Sequence, residues 1–345
     1  MQITTVGLDL AKNVFQVHAI DEAGEVIVRK ALRRHQVMPF FERLAPCLSG
    51  IEACGTSHFW AQQIAALGHQ VKLMPPAYVK PYVKRGKTDA GDAAAICEAV
   101  TRPTMRFVAI KSAEQQSMLA LHRSRDLLIR QRTQLVNMIR GQLAEFGIVL
   151  AKGIQHALKL VDRLLAGEAP EVPALLAKVV ITLAEQVRDL QVRIGLLERD
   201  LKAWSRDDQV AKRLQTIPGI GVITASALAA SVTDPQQFTS GRQFAAWLGL
   251  TPRARLSGGK ERSGRISKMG DRCLRRLLVS GMTARLRWLR HHPEAQPWAG
   301  ELLQRKPAKL VAVALANKAA RIAWVVMTRG ETYHPPQSSS RAVTP

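Results

Sequence analysis

A heptad pattern between residues 176 and 204 restricts the possible folds of this chain more than any other feature. Apolar residues recur there at alternating steps of four and three: Leu176, Val180, Leu183, Val187, Leu190, Ile194, Leu197, Leu201 and Trp204. A seam held over four repeats predicts a long helix, and β-branched residues at three of the four a positions favour a coiled coil. Such an arm would pair with a helix predicted over 112–146 or with another copy. The alternative is one long helix packed on its own domain.

The residues before this helix predict an α/β layer. Three strand-like runs, at 3–10, 13–20 and 25–32, are joined by short turns and predict an antiparallel meander. Helices and strands then alternate up to residue 100. The order β-β-β-α-β-α-β-α predicts a mixed sheet with helices packed on it. It is also the order of the ribonuclease-H-like nuclease fold, although many unrelated proteins share similar orders.

The rest of the chain is mainly helical in pattern, apart from residues 148–173, which are interpreted as less regular because glycines and prolines interrupt them. We therefore predict an α/β domain followed by all-α regions. The predicted divisions are an N-terminal domain at 1–110, long helices with the coiled coil at 111–208, a C-terminal domain at 209–330, and a disordered Pro- and Ser-rich tail at 331–345.

Positive charge increases along the chain. The 345 residues carry a net charge of +23. Residues 1–100 hold 11 basic and 9 acidic side chains (net +2), residues 101–216 hold 19 and 12 (net +7), and residues 217–345 hold 20 and 6 (net +14). Because 47% of the residues are apolar, a folded protein with a polyanionic partner is expected. Nucleic acid is the leading candidate, and an anionic membrane surface is the alternative.

Other classes of protein are disfavoured. The four cysteines form no CxxC pair, which argues against a zinc site. The most apolar stretch, Leu310–Met327, contains Asn317, Lys318 and Arg321, so we expect a buried or amphipathic helix that does not cross a membrane. No signal peptide precedes the first predicted strand, and we expect a cytoplasmic protein.

Four acidic residues form the first candidate site: Asp9, Glu52, Asp89 and Asp92. Asp9 and Glu52 lie in otherwise apolar strands, where a carboxylate needs a partner such as a divalent cation. Asp89 and Asp92 follow the N-cap candidate Thr88 and share one face of the first helical turn. The set suits Mg²⁺, with Mn²⁺ as a substitute, and two ions roughly 4 Å apart can clamp a phosphodiester. The alternative is a set of N-caps and surface acids.

The sequence Ile-Pro-Gly-Ile-Gly at 217–221 is typical of a helix–hairpin–helix. Pro218, Gly219 and Gly221 would shape a turn whose backbone N–H groups, with the next helix N-terminus, bind a phosphate without reading sequence. The alternative is a tight turn between two packed helices.

The segment 251–276 is the most basic part of the chain. It contains Arg253, Arg255, Lys260, Arg262, Arg265, Lys268, Arg272, Arg275 and Arg276. Its four glycines predict a flexible loop that wraps a nucleic-acid backbone. Three serines, Ser257, Ser263 and Ser267, lie among the arginines, which would stabilise the charge that develops when a hydroxyl attacks a phosphodiester. For each serine, an ordinary solvated basic loop is the alternative.

With these motifs the chain resembles the DEDD transposases of the IS110 family of bacterial insertion sequences, which includes Piv-like DNA invertases, and within it the IS1111 sub-branch. The resemblance covers about residues 1–330. It rests on the motifs at 6–12, 51–53, 87–93, 217–221, 241–253 and 257–259. It implies a RuvC-like N-terminal domain with Asp9, Glu52, Asp89 and Asp92 as metal ligands, a coiled coil, and a C-terminal transposase domain in which Ser257 is the nucleophile.

The resemblance also implies partners. Family members act on DNA, at element ends and target, and some use a noncoding RNA from their own element as a guide. Their site is thought to combine carboxylates of one protomer with the serine of another in a tetramer. We therefore predict a nucleoid-associated recombinase that binds DNA and guide RNA, forms a dimer to tetramer and binds no membrane. Two alternatives are a metal-dependent junction-resolving nuclease, in which the serine is a bystander, and a non-enzymatic nucleic-acid-binding protein.

Overall fold

The chain divides into two compact units, Met1–Ser112 and Ala113–Pro345. The computed structural model describes residues 2–84, 86, 88–168, 171–257 and 260–335, and over 254–257 and 260–263 it describes the backbone alone. Residues 336–345 of the predicted disordered tail lie outside the described residues. The finer division predicted at 208–209 stays a prediction.

A five-stranded mixed sheet forms the centre of the first unit. Its strands are β1 (Thr5–Asp9), β2 (Val14–Ile20), β3 (Val26–Arg33), β4 (Leu48–Glu52) and β5 (Gln70–Met74). The spatial order is β3-β2-β1-β4-β5. Strands β1, β2 and β3 pair antiparallel as the predicted meander, and β4 pairs parallel with both β1 and β5. The predicted mixed sheet is confirmed.

Four helices belong to this unit: α1 (Val37–Glu42), α2 (Ser57–Ala66), α3 (Pro76–Val79) and α4 (Asp89–Val100). Side chains alternate between the two faces of a strand. On one face, Val6 and Leu8 of β1 are buried with Trp60 of α2 in an apolar cluster. On the other face, α4 packs against β1, β2 and β4. The helix that carries two of the candidate acids therefore lies on the centre of the sheet.

The second unit begins with three helices, α5 (Ala113–Ala144), α6 (Ile154–Leu165) and α7 (Ala174–Asp207). The heptad residues of α7 at the a positions are buried: Val180, Val187, Ile194 and Leu201. Helix α7 packs within the chain against α5 and α6, and an Arg125–Glu198 ion pair of 2.6 Å joins α5 to α7. The seam thus packs inside the chain, as in the hairpin alternative, and an intermolecular coiled coil stays a prediction.

Helix α6 was not predicted, because it lies within the stretch 148–173 that was interpreted as less regular. The glycines bracket this helix and do not interrupt it: Gly153 precedes it at φ +114°, and Gly167 follows it at φ +84°. Both backbone angles lie in the region that glycine adopts readily. These two glycines therefore mark the limits of a twelve-residue helix, and Pro173 is the N-cap of α7.

The remaining elements of the second unit are α8 (Gln209–Gln215), α9 (Val222–Ser231), α10 (Gly241–Trp247), β6 (Pro252–Ser257), β7 (Lys260–Ile266), α11 (Arg272–Leu289), α12 (Pro297–Arg305) and α13 (Ala308–Arg329). The helices among them form the larger core of this unit. Leu228, Phe244, Leu278 and Leu315 are buried together there. Helix α12 was not predicted, because its short sequence begins with a proline and contains a glycine.

Helix α13 is the one helix among the described residues that is long and apolar enough to cross a membrane by length and composition. Half of its most apolar window is buried inside the protein. It packs against α8, α10, α11 and α12. These contacts are those of a core helix.

Candidate active site

The sheet sets two of the predicted acids side by side. Asp9 is the last residue of β1, and Glu52 is the last residue of β4. The two strands run parallel, with Gly7 opposite Gly50. Because side chains alternate along a strand, each acid lies on the same face as the glycine two residues before it. One face of the sheet therefore presents two carboxylates beside two positions without a side chain.

Helix α4 approaches this face closely at the two glycines. A Cβ atom at Gly7 would lie 2.2 Å from the carbonyl oxygen of Ala93, and one at Gly50 would lie 2.8 Å from the Cβ of Val100. Neither distance is possible for a real side chain. The close packing of helix on strand therefore depends on glycine at both positions, and it fixes where α4 begins relative to Asp9.

The first turn of α4 carries the other two predicted acids. The Thr88 side chain accepts a hydrogen bond from the Gly91 N–H at 3.1 Å and so caps the helix. Carboxylate oxygens of Asp9, Asp89 and Asp92 all lie within 4.8 Å of one another. The structure thus brings these three residues together. Glu52 lies outside this group of three, at the neighbouring strand end.

The charges of the site act on Asp9. Burial and, after it, the charges of Asp92, Asp89 and Glu52 raise the pKa of Asp9 to about 6, whereas a hydrogen bond from the Leu10 backbone opposes the shift. Carboxylates this close cannot all ionise freely without a compensating positive charge. Oxygen ligands on a rigid frame fit a hard divalent cation, which would neutralise this repulsion. The acid group is therefore a candidate metal site.

Sequence reasoning missed the role of Gly7 and Gly50 and the position of Cys54. A glycine inside a strand often marks a close backbone approach, and the spacing Gly-x-acid occurs in both strands, so a signal was present. Cys54 follows Glu52 by two residues. Burial, with the charges of Glu52 and Asp9, raises the pKa of the Cys54 thiol. This thiol stays protonated beside the acids.

In the second unit, the residues at 217–221 form a turn between α8 and α9. Gly219 has φ +91°, and Gly221 is the N-cap of α9. Because glycine has no side chain to cap the helix, the N–H groups of its first turn remain for another acceptor. A Cβ at Gly281 of α11 would lie 2.2 Å from the carbonyl oxygen of Gly219, so the turn packs directly on α11. Phosphate binding by this turn stays a prediction.

The prediction that much of the segment 251–276 is a flexible loop is wrong for 252–257 and 260–266, which are strands. Strands β6 and β7 pair antiparallel, with Ser257 opposite Lys260. Two glycines, at 258 and 259, separate these paired ends, and such a pair is a sequence signal for a hairpin. The high content of glycine and arginine concealed it. Ser257 ends β6, and the side chains of Ser257, Arg255, Lys260 and Arg262 lie outside the described residues.

Two of the predicted nucleic-acid-binding arginines bond to the chain itself. Arg253 donates to the carbonyl oxygen of Ser267 at 3.0 Å. Arg275 donates to the carbonyl oxygens of Leu248 at 3.0 Å and Met269 at 2.8 Å. These bonds tie the hairpin and the start of α11 to neighbouring chain segments and use part of each guanidinium.

A third arginine of this set, Arg276, forms an ion pair with Asp126 of α5. By contrast, Arg265, Lys268 and Arg272 are exposed. The basic segment therefore combines arginines that hold the unit together with others that face solvent. Their contact with nucleic acid stays a prediction.

Comparison with known proteins connects both units to one group. A family model described as "Transposase IS116/IS110/IS902 family" matches residues 211–298, and a DEDD transposase model of the IS110 type matches residues 6–148. A "Probable family 20 transposase" of Pseudomonas aeruginosa is 48% identical over 97% of this chain and 100% of its own length. The transposase for insertion sequence element IS1328 of Yersinia enterocolitica is 42% identical over 96% of this chain and 98% of its own. The transposase for IS1111A of Coxiella burnetii is 40% identical over 96% and 91%.

Proposed function

The chain belongs to the IS116/IS110/IS902 family of transposases, and from this premise we propose a specific chemistry for it. We propose that it cuts and exchanges DNA strands at the ends of an insertion sequence and at a target. Asp9, Glu52, Asp89 and Asp92 hold Mg²⁺, for which Mn²⁺ can substitute, and Ser257 is the nucleophile. The N-terminal unit then has the RuvC-like form of the ribonuclease-H fold.

One observation carries the proposal: carboxylate oxygens of Asp9, Asp89 and Asp92 lie within 4.8 Å of one another although they come from a strand and a helix. The raised pKa of Asp9 supports it, because bringing these acids together without a cation is unfavourable. A divalent ion bound there supplies Lewis-acid stabilisation of the negative charge on a reacting phosphate. The acids themselves would hold the ion in one place. Gly7 and Gly50 let α4 lie close enough to the sheet for its acids to meet Asp9.

Ser257 is proposed as the nucleophile for its place in the chain. It ends β6, directly before Gly258 and Gly259 in the sequence, and it lies within a segment of nine basic residues. Its hydroxyl oxygen would attack a DNA phosphorus atom, and the bond from that phosphorus to a sugar oxygen would break. Nearby guanidiniums stabilise the developing charge. Attack by a hydroxyl of a second strand then rejoins the DNA and releases the serine.

Two further features support additional partners, namely other protomers and a guide RNA. After α7 has packed on α5 and α6, its d-position leucines remain partly exposed and Val192 and Leu196 are 57% and 46% exposed. We propose that this helix joins protomers into a dimer or tetramer. The net charge of +14 over residues 217–345 would accommodate a noncoding guide RNA together with DNA.

The test is recombination of a marked element in cells that express Ser257→Ala or Asp9→Asn, with Ser124→Ala as the matched serine control on the exposed part of α5. Both site variants should lose recombination, and the control should retain it. Denaturing gels with labelled DNA should show a covalent protein–DNA adduct that Ser257→Ala lacks.

Normal recombination by Ser257→Ala would remove the nucleophile assignment. Cleaved branched DNA without any adduct would instead favour the junction-resolving alternative, in which water attacks. Sequencing of nucleic acids that copurify with the protein tests the guide RNA separately.

A further inference from the structure

Three side chains at the C-terminal end of α11 form a stack that the proposed chemistry does not use. The Arg285 guanidinium lies 4.1 Å from the centre of the Trp288 ring. The rings of Trp288 and His292 lie 4.3 Å apart and are inclined by 26°. Arg285 and Trp288 lie one turn apart on α11, whereas His292 follows the end of the helix and its ring folds back on Trp288. Trp288 nevertheless remains 44% exposed.

The turn formed by residues 217–221 lies next to the Arg285 end of this stack. A Cβ at Gly219 would lie 2.5 Å from the terminal methyl of Met282 and 3.2 Å from the Cβ of Arg285. Gly281, on which the turn packs, precedes Trp288 by two helical turns, a rise of about 10 Å. The open N–H groups of α9 and the Arg285–Trp288–His292 stack are therefore neighbours on one surface.

The electrostatic setting favours an anion. Between residues 272 and 292 the sequence contains six arginines and no aspartate or glutamate. Arg285 Nε is buried and has no hydrogen-bond partner among the described residues. Glu294 contacts the stack, with its carboxylate 3.4 Å from Nδ1 of His292 at the edge of the ring, and the Tyr333 phenol lies close enough to Arg285 to act on its charge.

We propose that the Arg285–Trp288–His292 stack binds an unpaired nucleotide whose strand docks a phosphate on the neighbouring turn at 217–221. Arg285 and the turn attract the phosphate. The base extends the stack at its exposed end, on His292, whose side chain is 46% exposed. Aromatic and guanidinium planes bind any base in this way without reading its sequence. The inference rests on the proposed function only for the class of partner, a nucleic acid.

Unpaired nucleotides are favoured over duplex because a paired base has both faces covered by its neighbours. A duplex would use only the phosphate contacts of this surface. An unpaired strand adds stacking, so the stack should create a preference for single strands over duplex of equal length. The strand could be DNA opened during recombination or a loop of RNA, which offer the same chemistry.

The test measures binding of four labelled oligonucleotides by fluorescence anisotropy: a 12-nucleotide DNA strand, the RNA of the same sequence, and the duplex form of each. Trp288→Leu and His292→Ala should each weaken binding of the single strands about ten-fold and leave the duplexes nearly unchanged. Trp288→Phe keeps an aromatic ring and should retain most of the affinity. The slope of log affinity against log salt should stay unchanged for Trp288→Leu, since no charge is removed.

Tyr78→Leu is the matched control, because Tyr78 is an aromatic residue of the first unit with similar exposure, 43%. Equal losses for single strands and duplexes, or no loss with Trp288→Leu, would overturn the proposal. A DNA strand with 5-iodouracil should also crosslink to the tryptic peptide 291–305, which contains His292, and crosslinking only elsewhere would contradict the proposal. None of these measurements requires strand cleavage, so their outcome is independent of the proposed Ser257 chemistry.

Discussion

The two units build their charged surfaces in opposite ways. In the first, Asp9, Asp89 and Asp92 converge within 4.8 Å, where like charges repel strongly. In the second, cations are spread over a hairpin, the segment that follows it and a helix, and some are bonded to carbonyl oxygens of the same chain. The function of the clustered acids depends on a few atoms, whereas binding by the dispersed cations is the sum of many weak contacts. Substitutions should therefore have large separate effects in the first unit and small additive effects in the second.

The largest effect is expected from Asp9→Asn. Loss of metal-based charge stabilisation of about 3 kcal/mol or more would slow strand cleavage about 100-fold or more. Single-turnover cleavage of end DNA measures it, and anisotropy should show unchanged DNA affinity. Glu42→Gln, an exposed carboxylate-to-amide change in the same unit, is the control and should retain the wild-type rate. A parallel loss of DNA affinity in Asp9→Asn would show that the acid site and the basic surface do not act separately.

Gly7→Ala tests the backbone contact that places the acids. The added Cβ would overlap the Ala93 carbonyl at 2.2 Å, so α4 must move, at a cost of about 1–3 kcal/mol in the free energy of unfolding. Thermal unfolding and Mg²⁺ titration followed by calorimetry should show a less stable unit and weaker metal binding. At Gly55 a Cβ would meet nothing within 4 Å, so Gly55→Ala should leave both quantities unchanged. Normal metal binding by Gly7→Ala would show that the approach of α4 does not position the acids.

A buried histidine should give the second unit a pH dependence. His122 Nε2 lies 3.1 Å from Ser226 Oγ, and burial, followed by the charge of Arg125, lowers the pKa of His122 to about 4. Between its ordinary pKa of 6.5 and this value, the unfolded chain binds a proton that the folded chain does not. Stability from this group is complete above pH 6.5 and is lost as the pH falls toward 4, by at most about 1.4 kcal/mol per pH unit.

Urea unfolding at pH 7 and pH 5 measures this effect as the difference between wild type and His122→Gln. The amide can still hydrogen-bond to Ser226 but does not titrate, so the variant should lose less stability over this interval. An identical pH dependence of the two proteins would show that His122 is not the group responsible. Hydrogen exchange of α5 and α9 assigns the change to the second unit.

The smallest effect is expected from Arg265→Gln, which removes one exposed cation. If it contacts a phosphate of duplex DNA, the slope of log affinity against log salt should become shallower by about 0.9, with only a few-fold loss at moderate salt. Arg29→Gln, an exposed arginine of the first unit, provides the comparison. Equal changes in slope for both would mean that DNA contact is not concentrated in the second unit.

Strands and helices with strong periodicity were predictable from the sequence. The four acids were found because carboxylates interrupt apolar strands or follow a helix cap, and three of them meet in space. The approach of α4 at Gly7 was missed since it depends on which face of β1 the helix covers, and that is a property of the assembled sheet. The hairpin β6–β7 was missed because arginine at alternate positions conceals an apolar pattern.

Some signals were present but were not used. The helical spacing of Arg285 and Trp288 can be read from the sequence, but the stacking of His292 cannot, because His292 lies beyond the end of α11. What the sequence does not contain is the adjacency of this stack to the turn near Gly219. That adjacency arises from the missing side chain of Gly281, which lets two segments more than sixty residues apart touch through their backbones.

The contact of α4 with Gly7 and Gly50 also bears on how this protein tolerates mutation. Side-chain cores relax when a residue changes, and elements shift slightly as they repack. Here helix and sheet meet main chain to main chain at Gly7, so the distance between Asp9 and the first turn of α4 is insulated from such relaxation. Substitutions among the apolar residues around α2 can accumulate and lower stability while the spacing of the acids stays constant. Glycine at these two positions can therefore preserve the geometry of the acid site while the surrounding core changes.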